Sequence, residues 1–455
     1  MKEKKSILPA RWAQLICIVA GLYAVAVAIY LLVETGKPSG SRDFHQFWYA
    51  GHFVRQGLDP YEAFFAREQP QLPVRYLDGV IVDQYPVAQP NLAMAPTNTP
   101  VMVLLLTPFS FFSWNVAKWM FLVLNLILMA LTGWLVLRRI PFAGVQLARI
   151  DELLLFLVYF DLSATRIAIE NGQTALIVFL FMLLAILYAK RSWQVAGLAL
   201  GIALAKYSLS LPVFLFFLYK KNFRVLLLAV FLQGLGVLAL AAITQSSAVT
   251  IVMENVRLFV EIFNQAGVYI NLASQFDLLT PNQLIRQIPV LLMTLLVFVL
   301  AFLWLRRRKA AVSSSDEVMD FHILTMLFIW TMLVGYHRLY DTLILIFFIV
   351  LVVKGLAYPN LWKLSTRERA MLMALMAAIP PILILPERIV DYVFPTYYGP
   401  VSNGVTAALF VLMLVASMFL LRRYLQNRRT EMITSRIVPV AQDQPETQRR
   451  SDPVV

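Results

Sequence analysis

The sequence predicts an all-α integral membrane protein, and three observations carry that prediction. Of its 455 residues, 60% are apolar and only 14% charged, about half the charged share of a soluble domain. The apolar residues fall in long unbroken runs without alternation. That pattern excludes a β-barrel, and backbone polar groups in lipid must then be satisfied inside helices. The basic residues gather in short clusters at the ends of the runs, as expected where positive charge orients membrane segments. The net charge of +13 therefore reads as topology, and no nucleic-acid partner is expected. One cysteine, Cys17, rules out an intramolecular disulfide and a cysteine metal site.

The runs are 12–33, 99–113, 115–137, 152–169, 173–189, 194–207, 208–219, 223–243, 289–305, 321–336, 340–358, 370–386 and 404–421. They predict a bundle of about 12–13 transmembrane helices. The first is too long for a cleaved signal peptide and has no small-residue cleavage site after it. Lys2, Lys4, Lys5 and Arg11 place the segment 1–11 in the cytoplasm, so 34–97 is an outer loop. Basic clusters follow at Arg138/Arg139, Lys190/Arg191, Lys220/Lys221, Arg306 to Lys309, 354–369 and Arg422/Arg423. All can be cytoplasmic if 99–113, bracketed by Pro96, Pro100 and Pro108, makes no net crossing. Twelve crossings result, with a polytopic domain over 12–423 and a disordered cytoplasmic tail over 424–455.

The outer loop holds the densest chemistry. Phe44, Phe47, Trp48, Phe53 and Val54 recur at helical spacing, which predicts an interfacial amphipathic helix after helix 1. Asp43 stands at its start, where it can cap the helix, act as a base, or do both. Ionisable residues also interrupt apolar runs: Asp161, Arg166, Glu170 and Lys206. A mid-bilayer charge costs about 2.5–3.5 kcal/mol on insertion scales. These groups are expected to face a cavity or to pair internally, Asp161 with Lys206 or Arg166 with Glu170. Gly335 to Asp341 is a second polar turn, containing His337 and Arg338. It reads either as an anion site or as a solvated loop in which Asp341 caps a helix. Asn271, Gln275, Asp277, Asn282 and Gln283 in the loop 244–288 could bond sugar hydroxyls or simply face water. No phosphate-binding loop, dinucleotide fingerprint or zinc-protease motif occurs.

The stretch D-F-x-x-F-W-Y-A-G-x-x-V-x-x-G-x-D-P-Y at 43–61 resembles the start of the polyprenol-phosphate-dependent hexosyltransferases of glycosyltransferase family 87, which have the GT-C fold. Asn98-Thr99-Pro100, Asn171-Gly172-Gln173 and Gly197 to Lys206 resemble further family segments in the same order. One departure is clear: the family's lysine usually precedes a proline, whereas Lys206 precedes Tyr207-Ser208, with Pro212 later. The resemblance implies an inverting transfer of a hexose, with mannose the expected sugar. The donor would be a polyprenyl-monophosphate carrier in the bilayer and the acceptor a lipid or glycan, at the outer face of the plasma membrane. It implies Asp43 as the general base. Arg42, His45, Arg166, Asn171, Gln173, Lys206, His337 and Arg338 are the substrate or phosphate contacts expected here. No cofactor is expected. Position 45 is histidine, so Asp43 lacks the second carboxylate of an Asp-x-Asp metal site. Two other classes suit the many helices: a transporter or flippase of a lipid-linked or anionic substrate, and a glycan polymerase or ligase. The long early loop favours the enzyme over the first of these, because secondary transporters usually have short loops there, and the second usually carries its large loop late in the chain.

Overall fold

The computed structural model describes residues 9–37, 40–65, 98–140, 147–265, 292, 317–334, 339–383 and 398–437. Its helices are α1 (Ala10–Gly36), α2 (Arg42–Arg55), α3 (Pro60–Phe65), α4 (Pro100–Leu106), α5 (Trp114–Arg138), α6 (Arg149–Asp161), α7 (Ser163–Glu170), α8 (Ala175–Tyr188), α9 (Trp193–Ala203), α10 (Tyr207–Tyr219), α11 (Phe223–Thr244) and α12 (Ala248–Gln265). After these come α13 (Glu317–Val334), α14 (Ile346–Ala357), α15 (Pro359–Trp362), α16 (Thr366–Leu383) and α17 (Tyr398–Ile437). Tight 3-10 turns occupy Thr107–Phe111, Leu204–Lys206 and Leu339–Leu345. Among the described residues, seven stretches are long and apolar enough to cross a membrane by length and composition, one of them Trp193–Tyr219, which folds back on itself as described below, or eight if the bent pair α7–α8 counts as one. The molecule is an all-α integral membrane protein. The run 289–305 and the cluster Arg306 to Lys309 lie outside the described residues.

Ion pairs hold the described basic clusters at helix ends, and those after α8 and α10 share one end of the bundle. Arg138 at the end of α5 meets Glu152 at the start of α6, 2.5 Å away. Lys190, after α8, meets Glu317 at 3.0 Å. Lys220, after α10, meets Asp320 at 2.8 Å. Glu317 and Asp320 are both in the first turn of α13. Arg423 of α17 pairs with Glu368 in the first turn of α16. The Ser365 backbone and Arg423 together hold the Glu368 carboxyl below its ordinary range. We refer to the end that carries Lys190 and Lys220 as the basic end and to the other as the far end.

Two runs that read as separate crossings form a fold-back instead. A Cβ added at Gly197 would lie 2.8 Å from Leu228, and one at Gly201 would lie 2.7 Å from Leu232. Gln233 Nε2 donates to the Gly201 carbonyl at 2.6 Å. The spacing is the same at both glycines, so α9 and α11 run parallel. The helix between them, α10, must then return to the basic end. Small residues four apart let the two backbones approach, which is how helices associate in lipid. The break is at Lys206, whose φ of −122° and ψ of 77° are not helical. Its φ is the value a following proline favours but its ψ is not, and Tyr207 follows. Neither α9, with 11 residues, nor α10, with 13, reaches the roughly 20 residues needed to span.

The segment 99–113 starts and finishes at the far end. The Thr99 amide donates to the Ala205 carbonyl at 3.1 Å, at the tip of the fold-back. The Phe112 carbonyl accepts from Trp48 Nε1 at 3.0 Å. Between them, α4 and its 3-10 turn pack against α2. A Cβ at Gly51 would lie 2.9 Å from Ser110 Cβ and 3.1 Å from Thr107 Cα, so only glycine admits this approach.

The helix α2 forms after helix 1, and its burial goes beyond one face. Phe44, His45, Gln46, Phe47, Trp48, Tyr49, Ala50, Gly51, Phe53 and Val54 are all buried. Phe44 stacks on Phe121 of α5 at 3.9 Å and meets Phe109 edge-on at 5.3 Å. Asp43 is the second residue of α2, not its cap. Ser41 precedes the helix with φ +54°. At the other end of the chain, α17 continues through Ile437, into the stretch the sequence reads as tail. Tyr424, Leu425 and Asn427 are buried there.

Candidate active site

The Asn171-Gly172-Gln173 turn grips the start of α2 in three ways. The Asn171 carbonyl accepts from the Asp43 amide at 2.8 Å and the Phe44 amide at 3.2 Å. This satisfies two of the donors a helix N-terminus leaves open. Gly172 has φ +65°, and a Cβ there would lie 2.7 Å from Phe44 Cβ. Gln173 Nε2 donates to Asp43 Oδ2. The turn joins α7 to α8, which bend by 119°. The carboxylate of Asp43, half-buried, is thus fixed from a helix 130 residues away.

A hydrogen-bonded strut runs onward from Gln173. Thr174 Oγ1 accepts from Asn98 Nδ2 at 2.9 Å. The next residue, Thr99, is bonded to Ala205, beside Lys206. The Asn98 carbonyl accepts from Tyr61 Oη at 2.9 Å and from Asn255 Nδ2 at 3.3 Å. Asp59 Oδ1 accepts from the Tyr61 amide at 2.9 Å. Burial pushes the Asp59 carboxyl up, and burial with Asp59 nearby pushes the Tyr61 phenol up. The D-P-Y, Asn98 and Asn-Gly-Gln segments, dispersed in the sequence, are therefore one scaffold.

Lys206 ends the strut. Its Nζ lies 2.6 Å from Asp341 Oδ1, with the two side chains 11% and 2% exposed. It also sits 4.5 Å from the Tyr340 ring centroid. The sequence offered Asp161 as its partner; the structure pairs it with Asp341. Arg166 does pair with Glu170, at 3.2 Å. Tyr30 Oη donates to the same Glu170 at 2.8 Å, and the Arg166 guanidinium lies 5.5 Å from the Tyr30 ring.

The remaining expected contacts are placed differently. Arg42 is exposed at the first position of α2. His45 is buried, 4.8 Å edge-on from the Trp114 ring and 5.5 Å from Trp48. Two residues along a helix turn about 200°, so His45 faces away from the Asp43 side. His337, Arg338, Asn271, Gln275, Asp277, Asn282 and Gln283 lie outside the described residues. Sequence reasoning did not assign Thr174, Tyr61 or Asn255 to the site. Only the closeness of Thr174 to the Asn-Gly-Gln turn could have signalled the first.

The depth of this arrangement follows from helix length. The 14 residues of α8 rise about 21 Å. The fold-back tip at Lys206 stands at a similar height above the basic end. That rise is shorter than the roughly 30 Å of a hydrocarbon core. The 25 residues of α5 rise past it.

A carboxylate, Asp43, and a lysine, Lys206, are thus fixed to one hydrogen-bonded frame. The family model for glycosyltransferase family 87 matches residues 97–335, just over half of the chain. The chain belongs to glycosyltransferase family 87. No curated protein matches it. Family 87 membership makes it a membrane glycosyltransferase, acting on a sugar donor and an acceptor in the membrane. The matched range covers Asn98, Asn171-Gly172-Gln173 and Lys206, while Asp43 lies before it and Asp341 after it.

The Lys206–Asp341 pair gives a test of stability. Lys206→Ala leaves a carboxylate 2% exposed without its lysine, a loss of about 3 kcal/mol. Lys206→Ala combined with Asp341→Asn should regain most of the lost melting temperature in detergent. Losses that simply add would show that the two groups are not coupled.

Proposed function

We propose that this family 87 enzyme moves a hexose, with mannose the first candidate, from a polyprenyl-monophosphate carrier to a lipid or glycan acceptor, inverting the anomeric centre. The observation that carries the reading is the Asp43 carboxylate, held by Gln173 and tied through Asn98 to Lys206. The acceptor hydroxyl oxygen bonds to the anomeric carbon while the bond from that carbon to the phosphate oxygen breaks. The hydroxyl proton passes to Asp43. The carrier leaves as polyprenyl phosphate, its negative charge met by Lys206. His337, Arg338 and the exposed Arg42 are the further cations proposed for that phosphate.

The sidedness follows from charge. The clusters at the basic end are what positive-inside orientation puts in the cytoplasm. The site then faces the extracytoplasmic side of the plasma membrane, where a lipid-linked donor needs no nucleotide-sugar domain.

The test is a transfer assay. Purified protein in nanodiscs receives radiolabelled polyprenyl-phosphate-mannose and a membrane-lipid extract as acceptor. Label should move to the acceptor from this donor and not from GDP-mannose. Transfer from the nucleotide sugar alone would reject the lipid-linked donor. Transfer only from glucose or arabinose carriers would change the sugar. Carrier crossing proteoliposomes without transfer would favour the transporter reading.

A further inference from the structure

After α11, Gln245 turns the chain through φ +56°, and α12 begins at the far end. Its two faces differ sharply. Val249, Val252, Met253 and Val256 are 71%, 45%, 64% and 53% exposed. Ile251 and Leu258 are 0% exposed, packed with Ala50, Val54, Tyr61, Val103 and Leu240. Between those two anchors, on the inward side, come Glu254 and Asn255. Asn255 bonds the Asn98 carbonyl at 3.3 Å, so this face meets the strut that ends on Asp43. Glu254 Oε2 is buried with no hydrogen-bond partner among the described residues. A buried acceptor left unpaired is costly, more so when charged.

We propose that Glu254, with Asn255 beside it, is the acceptor-side binding residue: its carboxylate takes hydroxyl donors from the sugar or polyol that is to be glycosylated. The proposal rests on the transferase reading above. Charge assigns the side. Lys206 draws the donor phosphate to one end of the strut. Asn255 joins the strut at Asn98, between Asp43 and Lys206, and a carboxylate beside that point repels a phosphate but accepts from neighbouring hydroxyls. The acceptor is thus a polyhydroxylated headgroup and not a simple alcohol. A bound hydroxyl would give Glu254 Oε2 the partner it lacks among the described residues. The outward valine and methionine stripe keeps α12 at the lipid surface, where such a headgroup enters.

Binding, measured apart from turnover, separates this proposal from the transferase reading. Nanodisc-embedded protein is titrated with octyl mannoside, a polyol headgroup on an alkyl chain, and separately with polyprenyl phosphate, with thermal shift as the readout. Glu254→Gln should weaken octyl mannoside by about tenfold or more, the worth of a charged hydrogen bond, and leave polyprenyl phosphate unchanged. Lys206→Ala with Asp341→Asn should do the reverse. Without ligand, Glu254→Gln should melt no lower than the wild type, since the buried Oε2 has no hydrogen-bond partner to lose among the described residues, and Glu254→Asp should restore part of the binding. Unchanged octyl mannoside affinity in Glu254→Gln, no octyl mannoside binding by the wild type, or a lowered melting temperature would each overturn the proposal. Failure of the wild type to bind polyprenyl phosphate would instead count against the donor reading.

Discussion

Asp43→Asn is expected to lower kcat for hexose transfer by about 10³-fold, within the range for loss of a positioned general base. The fold should survive the change. Asparagine is nearly isosteric, and its carbonyl oxygen can still accept from Gln173 Nε2. The backbone bonds from the Asp43 and Phe44 amides to Asn171 do not involve the side chain. What is lost is the capacity to take the acceptor proton. The measurement is single-turnover transfer beside wild type, with apparent melting temperature and polyprenyl-phosphate affinity as controls. Near-wild-type turnover in a well-folded variant would remove Asp43 from the base role. A matching fall in melting temperature would make it structural.

The second large effect is expected at a residue with no side chain. Gly172→Ala places a Cβ 2.7 Å from Phe44 Cβ and 3.2 Å from Ser41 Cβ, at φ +65°. A left-handed backbone costs a non-glycine residue about 1–2 kcal/mol, and overpacking costs about 1–3 kcal/mol more. Phe44 has little room to give, because it is stacked on Phe121 at 3.9 Å. The start of α2 must therefore move away from the turn, and Asp43 with it. Displacement of a catalytic group by about 1 Å can cost about 10²-fold. We expect Gly172→Ala to melt several degrees lower and to lose at least tenfold in kcat, with the KM for donor less affected. Full activity together with a lower melting temperature would show that the turn supports the fold without aligning the site.

Much of this site was legible in the chain, and the remainder was hidden for physical reasons. Asp43, the Asn-Gly-Gln turn and Lys206 stood out because charge and glycine are rare in apolar surroundings. The Arg166–Glu170 pair was legible as neighbours four apart on a helix. The burial of His45 was also within reach, since helical phase sets it on the other side from Asp43. The partner of Lys206 was not legible. Asp161 and Asp341 are equally acidic, and nothing local distinguishes them across 135 residues. The runs 194–207 and 208–219 carried a signal in their length, since runs of 10–14 residues are more often re-entrant than spanning. The role of the Asn171 carbonyl had no signal, because a backbone oxygen looks the same under every side chain. Asn255 went unread because an amide on an amphipathic helix resembles solvent-facing polarity until its neighbours are known.

The fold-back also sets an order for biogenesis. Neither α9 nor α10 can cross alone, and the turn between them carries a lysine whose counter-ion belongs to a segment made 135 residues later. At about 5–20 residues per second, that segment arrives after roughly 7–27 s of further synthesis. Throughout that interval the nascent hairpin holds an uncompensated ammonium at its tip. It must stay within the insertion machinery or in contact with water. A chain terminated before Asp341 therefore lacks the carboxylate that pairs with Lys206, and its hairpin tip keeps an ammonium without that partner.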